Sequence, residues 1–166
     1  MDHEIYLSIF REVAEELVQQ ELLPEDLSIN AGIFLDSVCL KLYKKQWTNQ
    51  IEDPLTAKTR IFCSVWINDQ TIIDQKISYN IHALKLRELK GYAIQSRKFA
   101  EQFRLRFQSQ QHTWENANIN LGPLTLMEGS IPLYQGDLKR AVLNLTSKFS
   151  EIIPLIDDTL EAFKKS

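Results

Sequence analysis

Between Lys85 and Phe107 the chain reads KLRELKGYAIQSRKFAEQFRLRF, with seven Lys/Arg against two acids. Cations at this density can bind carboxylate or phosphate groups. The whole chain carries a formal net charge of −3, so positive charge is concentrated in one segment of an otherwise acidic protein. Ser96 has the residue type of a helix N-cap, and Phe99, Ala100, Phe103 and Phe107 then recur at helical spacing. Such a helix places Arg97 and Lys98 in its first turn, where the helix dipole favours acids by about 0.3–1 kcal/mol each. Two cations there ask for something negative: an acidic side chain from elsewhere in the chain, an acidic partner, or an anion bound on the free N–H groups. Ser96, Arg97, Lys98, Arg104 and Arg106 are therefore the candidate anion- or partner-binding residues. The competing account is a solvated helix face, because exposed charge terms are individually small.

Other chemistry-bearing residues carry weaker patterns. His3, His82 and His112 are far apart with no second ligand at i+3 or i+4, and Cys39 and Cys63 lack CxxC spacing, so no metal site is read. No cofactor is implied, since no Walker A, G-x-G-x-x-G or G-x-S-x-G sequence occurs. Glu88-Leu89-Lys90 has the carboxylate–lysine spacing of metal-dependent nucleases, with Asp69 or Asp74 as the further acid that such a site needs on a strand. Tyr92, Phe99 and Phe103 interleave with cations, which suits stacking on single-stranded nucleic acid, although the phenylalanines share one face and read as core. Trp66, Tyr92 and Trp114 are candidate lining for a ligand pocket between sheet and helices.

At 166 residues, 44% of them hydrophobic and 25% charged, the chain reads as a single domain over 1–166 with an ordinary globular composition. A pI near 5.6 argues against coating by nucleic acid. The N-terminus is amphipathic and acidic, unlike a signal or transit peptide, and no apolar run approaches the ~20 residues that span a bilayer. With two cysteines inside apolar segments, the expectation is a cytoplasmic protein with buried free thiols and no membrane contact.

The elements that position these residues begin with a helix over 3–20. Ile5, Ile9, Val13 and Leu17 repeat along it, Asp2 caps it, and Glu4, Glu12, Glu15 and Glu16 line its exposed face. That acidic face is an intramolecular partner candidate for the basic segment. Ser28-Ile29-Asn30 and Gly32 read as a polar break before a strand at 33–45, with Val38, Leu40 and Leu42 on one side. The loop 46–58, with Trp47 and Glu52-Asp53-Pro54, is long enough to carry function, or Trp47 pins it to the core. A second strand over 59–67 turns tightly at Asn68-Asp69-Gln70, pairing Val65 with Ile73 and Ile61 with Ile77. Residues 78–90 read as strand to about Ile81 and then a helical turn closing before Gly91. The Ser96 helix runs to about Ser109. Alternation at 117–121 and at 124–127, amid Gly and Pro, reads as short edge strands. Asp137 caps a long C-terminal helix whose apolar seam, Leu138 to Phe163, is interrupted at Pro154.

This order predicts an α+β domain of two layers, an antiparallel sheet of four or five strands packed against N-terminal, middle and long C-terminal helices. It is similar to bacterial secretion-chaperone folds in element order alone, with no shared motif, and so carries no function. The functional expectation is a non-catalytic binding or regulatory module contacting an acidic protein partner, or a second copy as a homodimer, through the basic segment and the C-terminal seam. Alternatives are a nucleic-acid-binding or nuclease-like protein using residues 85–106, and a binder of small anions at the Ser96 helix start.

Overall fold

The computed structural model describes residues 1–49 and 53–166. Glu52, in the loop singled out above, lies outside the described residues. Five strands form one antiparallel meander in the order β1-β2-β3-β4-β5. They are β1 Ser28–Phe34, β2 Ser37–Tyr43, β3 Arg60–Ile67, β4 Lys76–Leu84 and β5 Thr125–Pro132. Helices α1 His3–Gln19, α3 Ser96–Phe107, α4 Leu138–Lys148 and α5 Ile153–Ala162 cover one face, and the short α2 Asp69–Ile73 joins β3 to β4. The expected α+β two-layer architecture is what the chain adopts.

The layer forms because alternation on the strands and the helical stripes meet. Val38, Leu40 and Leu42 of β2, Ile61, Cys63, Val65 and Ile67 of β3, and Ile77, Tyr79, Ile81 and Ala83 of β4 are all buried. They face Phe10, Val13 and Leu17 of α1 and the seam of α4 and α5 in one core. Each buried aliphatic or aromatic side chain contributes about 1.5–3 kcal/mol on removal from water. Asp2 caps α1, accepting from the Glu4 and Ile5 N–H groups. Pro154 does divide the C-terminal segment: a 3-10 turn at Phe149–Glu151 separates α4 from α5, with the proline in the first turn of α5 where its missing N–H costs nothing. The seam residues Leu138, Val142, Leu145, Phe149, Ile152, Ile156 and Leu160 are core, so the seam is not a surface for a partner.

Four expectations of local structure need correction. The polar break at Ser28–Gly32 is β1, paired with β2 through a two-residue turn at Leu35-Asp36, both at positive φ. Half-buried edge strands need few large apolar residues, and neither turn residue is Gly or Asn, so the hairpin left little trace in residue types. The tight turn after β3 is α2, closed by a capping box between Asn68 and Thr71. Inserting it moves the register to Val65↔Tyr79 and Ile61↔Ala83; either register sets apolar against apolar, so alternation cannot choose. The strand expected to end near Ile81 continues to Leu84, followed by a 3-10 turn at Leu86–Glu88. Residues 117–121 contribute only a bridge from Asn118 to Glu128. With the added strand, the element order also departs from the secretion-chaperone pattern.

Candidate functional site

The basic segment leaves β4 and wraps one end of the molecule. Lys85 sits in the left-handed region with φ 50, and Gly91 at φ 90 turns the chain where a side chain would be strained. Asn49 fixes the segment from below, donating to the Glu88 carbonyl and accepting from the Lys90 N–H. The C-terminal residues then add to it: the Ala93 N–H donates to the Phe163 carbonyl at 2.8 Å, and the Lys165 N–H to that of Gly91 at 3.0 Å. Phe163 packs on Phe99 with ring centroids 5.9 Å apart. This brings Lys164 and Lys165 beside Lys90, which nothing in the spacing of the sequence announced.

Among the described residues, Lys85, Arg87, Lys90, Arg97 and Lys98 are exposed and their side chains make no hydrogen bond or ion pair. Lys164 has only a marginal exposed contact with Glu161 at 3.9 Å. The acidic face of α1 is not their counter-charge. Glu16 and Glu12 instead hold Lys139 of α4, at 2.7 and 3.5 Å.

The remaining candidates separate. The N-cap of α3 is Gln95, extended at φ −101 and ψ 123, and its side chain makes no capping bond; Ser96 is already helical, so it cannot serve as the cap. Arg104 is structural: its Nε donates to the Leu126 carbonyl at 3.0 Å and its Nη2 to the carbonyls of Gly122 and Thr125. Half-burial pulls its pKa below the ordinary arginine value. Arg106 bonds the Gln102 carbonyl one turn back on its own helix. The three proposed pocket aromatics are not brought together. Trp66 lies on the outer face of β3, whereas Trp114 is buried on the helix side against Tyr79, Phe107 and Phe149. Tyr92 bridges Lys164. Glu88 closes a 3-10 turn, so the Glu88–Lys90 pair lacks the strand its nuclease reading needs.

Two further clusters escaped the sequence. Lys44 is buried between Asp26 at 2.8 Å and Asp157 at 2.7 Å, and Trp47 Nε1 donates to the same Asp157 at 2.9 Å. Burial works against the Lys44 charge, yet the hydrogen bonds to Asp157 and Asp26 outweigh it and hold the pKa above the lysine norm. Trp47 does pin its loop, and every partner in this network is satisfied. On the outer face of the sheet, Asn30, Lys41, Ser64, Asn80 and Glu128 form one row across the strands. Lys41 Nζ lies 3.9 Å from the Phe34 ring centre and 4.7 Å from that of Phe62. Arg60 stacks over the same Phe62. His82 is lowered to about 4, first by burial and then by the charges of Arg60 and Lys41. Its Nε2, Arg60 Nε and Asn80 Oδ1 are buried without partners. Being closed off from solvent, these atoms record local cost rather than an open site.

Comparison with protein-family models, with curated proteins and with solved structures finds no match to this chain. Among the described residues, no helix is long and apolar enough to cross a membrane.

Proposed function

We propose that this protein is a non-catalytic binding module that contacts an acidic protein partner through its basic end. The observation carrying the reading is the set of exposed cations on Lys85–Lys98, unpaired among the described residues and joined by Lys164 and Lys165. Like charges held together in solvent repel one another, and a partner carrying carboxylates removes that repulsion while steering encounter. Arg104 drops out of the contact because backbone carbonyls occupy it, whereas Arg106 has one exposed bond of 3.3 Å to its own helix and keeps donors for a partner.

The test titrates the full chain at low salt with an oligoglutamate peptide, with single- and double-stranded oligonucleotides, and with inorganic phosphate. Peptide binding that weakens with salt and is lost in Arg97→Glu/Lys98→Glu supports the reading. Tighter oligonucleotide binding, falling steeply with salt through counterion release, moves the assignment to nucleic acid. Saturation by phosphate alone moves it to a small anion. Absence of binding to every probe overturns all three.

A further inference from the structure

Alternate backbone groups of an antiparallel edge strand point away from the sheet, and a native edge is normally blunted by charge, proline or a covering segment. β5 is covered at three successive outward positions. The Leu126 carbonyl accepts from Arg104, the Glu128 N–H and carbonyl pair with Asn118 at 3.1 and 2.7 Å, and the Ser130 carbonyl accepts from Asn116. β1, at the other edge, has none of these devices. Its seven residues, SINAGIF, contain no charge and no proline. Outside its ladder with β2, its backbone makes no hydrogen bond among the described residues.

The surroundings of β1 are apolar as well as unpaired. Ile33 is 49% exposed on the strand, and Val18 and Leu22, after the core stretch of α1, are 63% and 42% exposed. A cleft of about 380 Å³ opens between that end of α1 and β1, lined by Val18, Leu23, Leu27 and Ile29 among others. Glu21, Glu25, Asp26 and Asp36 are exposed and lie beyond the two ends of the strand, so a pairing segment meets acids only outside the uncharged stretch 28–34.

We propose that β1 is a homodimer interface, pairing antiparallel with β1 of a second copy across a two-fold axis near Ala31, so that one sheet runs through both copies. A two-fold contact sets a strand against its own sequence, which a charged strand resists by like-charge repulsion and this uncharged one does not. With the axis at Ala31, Ile33 of each copy lies opposite Ile29 of the other. Both isoleucines are on the helix side of the sheet beside the apolar cleft, so pairing satisfies the outward N–H and C=O groups and buries aliphatic surface together. The inference stands apart from the acidic-partner reading and uses a different edge of the sheet.

The experiment is analytical ultracentrifugation of the full chain over a concentration series, with hydrogen exchange of the segment 28–34 at the lowest and highest concentrations. The expected result is a reversible dimer and slower exchange within 28–34 at high concentration. Ile33→Lys should weaken the dimer at least about tenfold, roughly 1.4 kcal/mol, while Ile73→Lys, an exposed position on α2, leaves it unchanged. A chain that stays monomeric throughout overturns the proposal. So does a dimer whose 28–34 amides exchange equally at both concentrations, a readout that needs no variant to fold.

Discussion

The two edges of the sheet solve one problem in opposite ways. β5 meets a loop and an arginine on its outer side, which take up the carbonyls of Leu126, Glu128 and Ser130 and the Glu128 N–H. β1 meets none among the described residues, and its sequence offers nothing that discourages pairing. An edge closed by local chemistry belongs to the fold's own stability, whereas an edge left bare is available to another chain. The contrast also reassigns Arg104. A cation that invites an external anion from sequence is spent on three carbonyls at the closed edge.

The largest effect expected from breaking this contrast is at Arg104. Arg104→Ala strands the carbonyls of Gly122, Thr125 and Leu126, and unmade hydrogen bonds to a charged group cost about 2–3 kcal/mol. Urea unfolding should register that loss, with faster amide exchange confined first to residues 116–130. Gly129→Ala should follow at about 1–3 kcal/mol, the usual cost of overpacking. A Cβ there would overlap Tyr79 Oη, which crosses the glycine to donate to the Glu115 carbonyl at 2.6 Å. Thermal unfolding of this variant beside wild type measures it.

Acid probes the same side of the sheet, because His82 pairs with Thr125 at the irregularity in the β4–β5 ladder. Its folded pKa is depressed to about 4 from 6.5. Between those values the unfolded chain takes up a proton that the native one refuses, so this contribution is complete above about pH 6.5 and is lost as pH falls toward 4. Chemical unfolding at a series of pH values should show that slope, flattened in His82→Gln. Smaller still, Asn116→Ala should cost about 1 kcal/mol, since it removes the bond to Ser130 from a residue at φ 56. At the open edge Ile33→Lys should leave the unfolding free energy of the monomer within about 0.5 kcal/mol, because its side chain is half in water already. A larger loss would mean that Ile33 supports its own copy rather than a second one.

Much of the layer structure was legible in residue order, and for a clear reason. The helical stripe of α1, the alternation in β2, β3 and β4, and the break at Pro154 are local periodicities that survive into the fold because each creates a face needing cover. β1 was not legible: an edge strand half in water needs no strong apolar alternation, and its turn uses Leu35-Asp36 instead of the expected Asn-Gly types. The candidate site divided along the same line. Arg97 and Lys98 remain exposed cations as their setting in α3 implied, while Ser96 is one residue inside the helix start.

Composition and periodicity by themselves determined that this chain makes an α+β domain with a positive segment in an acidic surround, since both are properties of neighbours in sequence. Tertiary structure alone decided which cations are free. Arg104 is occupied because β5 happens to bring carbonyls to it, and Lys44 is neutralised by aspartates at positions 26 and 157. Lys164 reaches the basic segment through a backbone bridge to Tyr92 that spans nearly half the chain. A charge is made available or spent by what lies within a few ångströms of it, and for residues this far apart only the folded chain sets that distance.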